Sequence, residues 1–118
     1  VIYRIRYHPL VERDLDSIAY WIMDHAGDEI ARRKLTEIEQ TITNLAHVPH
    51  RGSVRDDIAP GLRAIPAARR AVIAFTVDDA AAEVVIQAVT YGGADWMGRI
   101  HSRARPAEAG LPRRGEAQ

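Results

Sequence analysis

Two amphipathic stripes separated by only Gly27 and Asp28 constrain the fold of this chain more than any other feature. At about 100° per residue, Val11, Leu15, Ile18 and Ile22 fall on one side of a first helix. Ala31, Leu35, Ile38, Ile42 and Leu45 then repeat at 4-3-4-3 spacing along a second, until His47-Val48-Pro49 stops it. Pro9 suits the first turn of the first helix, Gly27 its end, and Asp28 the cap of the next. Helices joined by so short a turn form an antiparallel hairpin.

The rest of the chain reads as strands. Ile2 to Tyr7 alternates, with Tyr3, Ile5 and Tyr7 on one face and Arg4 and Arg6 on the other. A loop is expected from Pro49 to Pro60, a short strand from Leu62 to Ile65, and longer strands from Ala71 to Val77 and Glu83 to Tyr91, joined by an Asp78-Asp79-Ala80-Ala81 turn. Gly92-Gly93 breaks the last strand, and a helical turn is expected from Asp95 to Ser102. The order β-α-α-β-β-β predicts an α+β fold in which an antiparallel sheet packs against one helical hairpin. With 118 residues, 47% of them hydrophobic and 27% charged, one domain over residues 1–104 is expected, followed by a disordered tail over 105–118 rich in Pro, Gly, Ala and charge.

The chain has no cysteine, which excludes disulfides and thiolate metal sites. It shows no signal-like apolar core and no apolar run of membrane-spanning length, so a cytoplasmic protein without membrane contact is expected. Net charge is zero, which argues against coating nucleic acid through bulk charge. The charge is unevenly placed, however, with five arginines against two glutamates from Arg99 onward. Lys34 is the only lysine, and arginine favours fixed planar contacts over titratable amines.

Several residues stand out as candidates, each with a plain structural alternative. Arg63 and Arg70, at a loop-to-sheet boundary, are expected to line a cationic surface; the alternative is ordinary ion pairs with Asp56, Asp57 or the helix acids. Alternation sends Arg69 to the opposite face. Leu10, Tyr20 and Trp21 lie off the apolar stripe, where exposed aromatics favour partner contact, although Trp21 also suits the core border. Trp96, Arg99, His101 and Arg103 form a small aromatic and basic patch, unless Trp96 plugs the end of the sheet and the arginines are solvated. His50 and His101 are the only neutral-pH bases near the strands, and both are expected to be solvent-exposed imidazoles. His47 and His50 have a metal-like spacing, but Pro49 interrupts it, so no metal is expected. Turn chemistry accounts for Asp78-Asp79, and no phosphate-binding glycine loop or nucleophile elbow is present, so no cofactor is expected.

In joint order, Pro9, Asp14-Leu15, Ile18, Tyr20-Trp21-Ile22, Leu45-Ala46, Arg51-Gly52, Gly61-Leu62-Arg63, Arg70 before Val72-Ile73, and Tyr91-Gly92-Gly93 before Asp95-Trp96 resemble the RelE/ParE superfamily of type II toxins. The Pro-x-Arg-Gly loop and Gly-x-Arg strand are similar to the ParE branch. Ala94 departs from it, standing where an arginine is expected. The resemblance implies a non-enzymatic toxin that inhibits DNA gyrase and blocks replication. It also implies neutralisation by a ParD-like ribbon-helix-helix antitoxin, on Leu10, Tyr20 and Trp21. Target contact would then fall to Arg63, Arg70, Trp96, Arg99, His101 and Arg103. Two alternatives stand: a RelE-like ribosome-dependent messenger RNA endoribonuclease using Arg63, Arg70, Tyr91 and His101, or a toxin with another target or an inactive homologue. Chemistry is the weaker reading, because it needs a base and arginine stays protonated.

Overall fold

The computed structural model describes residues 1–103. The tail expected over 105–118 lies outside them. The chain runs β1 (Arg4–Tyr7), α1 (Val11–Ala26), α2 (Asp28–Asn44), β2 (Ser53–Val54), β3 (Leu62–Ala67), β4 (Ala71–Asp78), β5 (Glu83–Tyr91) and α3 (Trp96–Arg103).

The helical hairpin forms as its stripes require. Val11, Ile18 and Ile22 of α1 and Ala31, Ile38 and Ile42 of α2 are buried against one face of the sheet, beside Ile65, Ile73, Phe75, Val84, Ile86 and Val89. Fully burying each large apolar side chain contributes about 1.5–3 kcal/mol, so this layer holds the hairpin down. The turn is tighter than Asp28 capping needs. Gly27, at φ 93°, is the residue that caps α2, and Asp28 is already helical with no side-chain cap bond. Asp28 and Glu29 instead place negative charge in the first turn, where it favours the helix dipole. At the other end, Pro9 lies in the turn ahead of α1, and the Leu10 N–H donates to His8 Nδ1 at 3.1 Å.

The five strands are ordered β1-β5-β4-β3-β2. The sheet is mixed rather than antiparallel, because β1 runs parallel to β5 while β2, β3, β4 and β5 pair antiparallel in turn. The expected loop from Pro49 to Pro60 contains β2, in which Ser53 pairs with Ala64 and Val54 with Arg63. On the face away from the hairpin, Leu62, Ala74, Ala88 and Ile100 form a smaller apolar layer under α3, with Trp96 packed against it. Opposite Ala74-Phe75 the partners are Ala88 and Ile86, leaving Gln87 as the extra residue of a bulge.

Candidate functional site

The strand β1 accompanies β5 only as far as Ile86, because the chain then turns into α1. Beyond that point the edge of β5 has no strand beside it, and its backbone polar groups need other partners. Asp14 supplies one. Its carboxylate, almost fully buried, accepts the Val89 N–H at 3.0 Å. Two arginines of α3 then pair with it. Arg103 donates from Nη1 and Nη2 to both carboxylate oxygens at 2.7 and 2.8 Å, and Arg99 Nη1 donates at 3.3 Å. Arg103 also donates to the Gln87 carbonyl at 2.9 Å and Arg99 to that of Val89 at 3.4 Å. Asp14 thus closes the open edge of β5 and fastens α3 to α1. Burial and the Arg103 charge beside it hold the neighbouring His8 imidazole below the ordinary histidine range, against the opposing pull of Asp14.

This clamp changes the standing of the C-terminal patch. Arg99 and Arg103 are spent on an internal carboxylate, and the Arg103 side chain is only 9% exposed. Trp96 is half-buried in the α3 layer, with the Arg55 guanidinium 5.4 Å from its ring centre. Of the four residues, His101 alone is exposed. The patch is therefore mostly a seam holding α3, because a basic helix lying over a sheet edge with a buried acid pairs with that acid.

A different surface is assembled at the far end of α1. Trp21, 44% exposed, carries His25 stacked on its ring, with centroids 4.0 Å apart and planes within 14°. Tyr91, the last residue of β5, lies 6.0 Å from Trp21. Beside this pair the Arg70 guanidinium sits 5.7 Å from the Trp21 ring centre and 5.6 Å from that of Tyr91, within cation–π reach of both. Gly92 lies alongside; a Cβ there would be 3.4 Å from Arg70 Nη2. Next to this layered cluster, Asp14, Ile18, Trp21, Thr90, Gly92 and Ala94 line a cavity of about 230 Å³.

Arg63 is not part of this cluster. It pairs with Phe75 near the open end of the β3–β4 hairpin, whereas Arg70 lies in its turn. Four residues of strand separate Arg63 from Ala67, or about 13 Å at the usual rise. Arg63 instead donates from Nη1 to the Arg51 carbonyl at 3.3 Å and faces a second polar group. There Asp79 Oδ1 accepts the Tyr3 hydroxyl at 2.7 Å and lies 2.8 Å from His50 Nε2. The Tyr3 hydrogen bond, then His50 and the Arg63 charge, hold the Asp79 carboxyl below the usual carboxylate range. The same bond raises the Tyr3 phenol. Of the adjacent acids read as turn residues, Asp78 fits, accepting the Ala81 N–H at 3.1 Å, while Asp79 reaches across to Tyr3, just ahead of β1, and to the α2–β2 loop.

The structure thus brings together Trp21, Arg70 and Tyr91, which the sequence assigned to different roles. It separates Arg63 from Arg70, and no hydrogen bond or ring contact among the described residues joins His101 to either. Tyr20, 67% exposed, and Leu10, 37% exposed, lie away from the Trp21 cluster, Tyr20 about 100° round α1 and Leu10 at its opposite end. Asp14 is the residue whose role sequence reasoning missed. An acid three residues from Val11 and four from Ile18, inside an apolar stripe, was the available signal.

The chain matches the family described as ParE toxin of type II toxin-antitoxin system, parDE, over residues 5–96. Two solved structures are similar in fold. A chain of the chromosomal ParDE toxin–antitoxin system from P. aeruginosa superposes with a TM-score of 0.66 at 22% identity, covering 76% of this chain and 96% of that one. A chain of the RelBE2 toxin–antitoxin complex from Mycobacterium tuberculosis gives a TM-score of 0.55 at 21% identity, covering 78% and 100%. A search of curated proteins finds no match. With most of the sheet and the whole helical hairpin inside the matched span, this chain belongs to the ParE toxin family of type II toxin–antitoxin systems.

Proposed function

We propose that this toxin acts by binding: it inhibits DNA gyrase, blocks replication in the cytoplasm, and is neutralised by a cognate ParD-like ribbon-helix-helix antitoxin. It performs no covalent chemistry and meets DNA only through gyrase or through the antitoxin complex. The observation that carries this reading is the fate of the cations. Arg99 and Arg103 are paired on Asp14, and Arg70 lies beside two aromatic rings with no ion pair to a carboxylate among the described residues. Cleavage of RNA needs a base beside a cation that stabilises the developing charge. A positioned guanidinium beside an exposed tryptophan and a half-buried tyrosine is instead the composition of a protein-binding hot spot.

One observation favours ribosome-dependent messenger RNA cleavage as a second reading, and it lies elsewhere than the sequence placed it. His50, oriented by Asp79 and close to the Arg51 and Arg63 segment, is a base–orienter pair of the kind that activates a hydroxyl. Against it, the pair is exposed, and surface ion pairs of this type are common without function.

The test is a supercoiling and DNA-cleavage assay with purified gyrase beside a messenger RNA cleavage assay on translating ribosomes. The proposal expects loss of supercoiling and accumulation of cleaved DNA, with His50→Ala as effective as the wild type. Intact gyrase activity together with RNA cutting that His50→Ala abolishes would establish the second reading instead.

A further inference from the structure

Arg70 is more tightly positioned than an exposed arginine needs to be. Its N–H donates to the Ala68 carbonyl at 2.8 Å, and its own carbonyl accepts the Gly92 N–H at 2.9 Å. The turn that delivers it contains two consecutive non-glycine residues in the left-handed region, Ala68 at φ 50° and Arg69 at φ 69°. Such conformations are unfavourable for L-residues and persist where the surroundings enforce them. Trp21 and Tyr91 both lie within cation–π reach of the guanidinium, and Gly92 passes beside it. Like Arg13, Arg33, Arg51, Arg63 and Arg69, Arg70 is in no ion pair among the described residues, but it alone of these lies within cation–π reach of two rings. Its planar fork of donors is held in place and left open.

We propose that Trp21, Arg70 and Tyr91 form a receptor for a carboxylate carried on an acidic, apolar peptide segment of a partner protein. A guanidinium fork matches a carboxylate in two parallel hydrogen bonds, and the two neighbouring rings position the fork without neutralising its charge. The cavity beside it, whose lining includes Ile18, Trp21 and Ala94, takes an apolar side chain neighbouring the acid. Charge complementarity favours a peptide over a nucleic acid. A polyphosphate needs several free cations in a row, whereas one fork suits one carboxylate, and the chain has no net charge. The site thereby unites residues that the sequence divided between antitoxin and target, so an acidic segment of one partner seated here excludes the other.

The full chain is titrated with a fluorescent peptide of repeating Glu-Leu, with the matching Gln-Leu peptide, and with a single-stranded oligonucleotide. The Glu-Leu peptide is expected to bind at least about 10-fold more tightly than the Gln-Leu peptide. Arg70→Ala is expected to weaken Glu-Leu binding by about 10-fold or more, and Arg70→Lys to recover only part of it. Arg69→Ala is expected to match the wild type. Failure of the wild type to bind the Glu-Leu peptide, equal binding by Arg70→Ala, or Arg70-dependent preference for the oligonucleotide would overturn the proposal. No gyrase is present, so this result and that of the gyrase assay stand or fall separately.

Discussion

Asp14 shows how one side chain decides the placement of a whole helix. Its carboxylate is 4% exposed and meets the two α3 arginines and one β5 amide, so removing it strands charge and an amide in a desolvated seam. Asp14→Ala is expected to cost about 3–5 kcal/mol in urea denaturation, as for a broken buried ion pair. It should also speed amide exchange throughout α3 more than in α2. The charge of Arg103 reaches His8 as well. A histidine whose folded pKa is lowered binds protons more readily when unfolded, so its stability contribution is complete above the ordinary pKa near ~6.5 and declines as pH falls below it. Denaturation midpoints should therefore drop between neutral and mildly acidic pH, and His8→Gln should flatten that slope. At this scale the sequence was only partly legible. Asp14 announced itself as an acid on an apolar stripe, but its pairing with Arg99 and Arg103 depended on where β1 ends. The neighbours of Arg70 come from α1 and β5, far apart in the chain, and no local spacing links them.

Elements were legible to the extent that they carry a period. The two helices and β4 and β5 repeat apolar residues over enough length for the pattern to declare itself, and β5 spans Glu83–Tyr91 as the alternation indicates. The strand β2 has two residues, too few to alternate, and was read as loop. The direction of β1 was equally hidden, because inward and outward faces look the same in parallel and antiparallel pairing. What holds β2 in place is a close backbone approach at Gly52. A Cβ there would lie 2.4 Å from the Ala64 carbonyl oxygen, at a φ of 78°. Gly52→Ala is expected to destabilise the protein by about 1–3 kcal/mol and to increase exchange of the β2–β3 amides selectively. The opposite change is expected in the β3–β4 turn. Arg69, at φ 69°, sits where glycine is unstrained, and Arg69→Gly should raise the urea midpoint by about 1 kcal/mol of stability. If stability falls instead, the turn is not strained and the argument that it is maintained for Arg70 loses its support.

At the scale of the molecule, two polar clusters occupy opposite ends of the β3–β4 hairpin. One is the Arg70 cation beside Trp21 and Tyr91, with His25 stacked on Trp21, and the other is the Tyr3, His50 and Asp79 group near Arg63. The family and the α+β architecture could be read from the sequence because their signals are spread along the chain. The division of the arginines between these ends and the Asp14 seam could not, since it is a product of the sheet order β1-β5-β4-β3-β2. The Trp21, Arg70 and Tyr91 end is proposed to bind a protein target, and gyrase is proposed as that target. Amide hydrogen exchange of this protein, free and with purified gyrase on DNA, tests it directly. Slowed exchange is expected at Trp21–His25, Ala68–Arg70 and Tyr91–Gly93, with little change around His50 and Asp79. Unchanged exchange in the presence of gyrase, or protection confined to the His50 and Asp79 end, would contradict it.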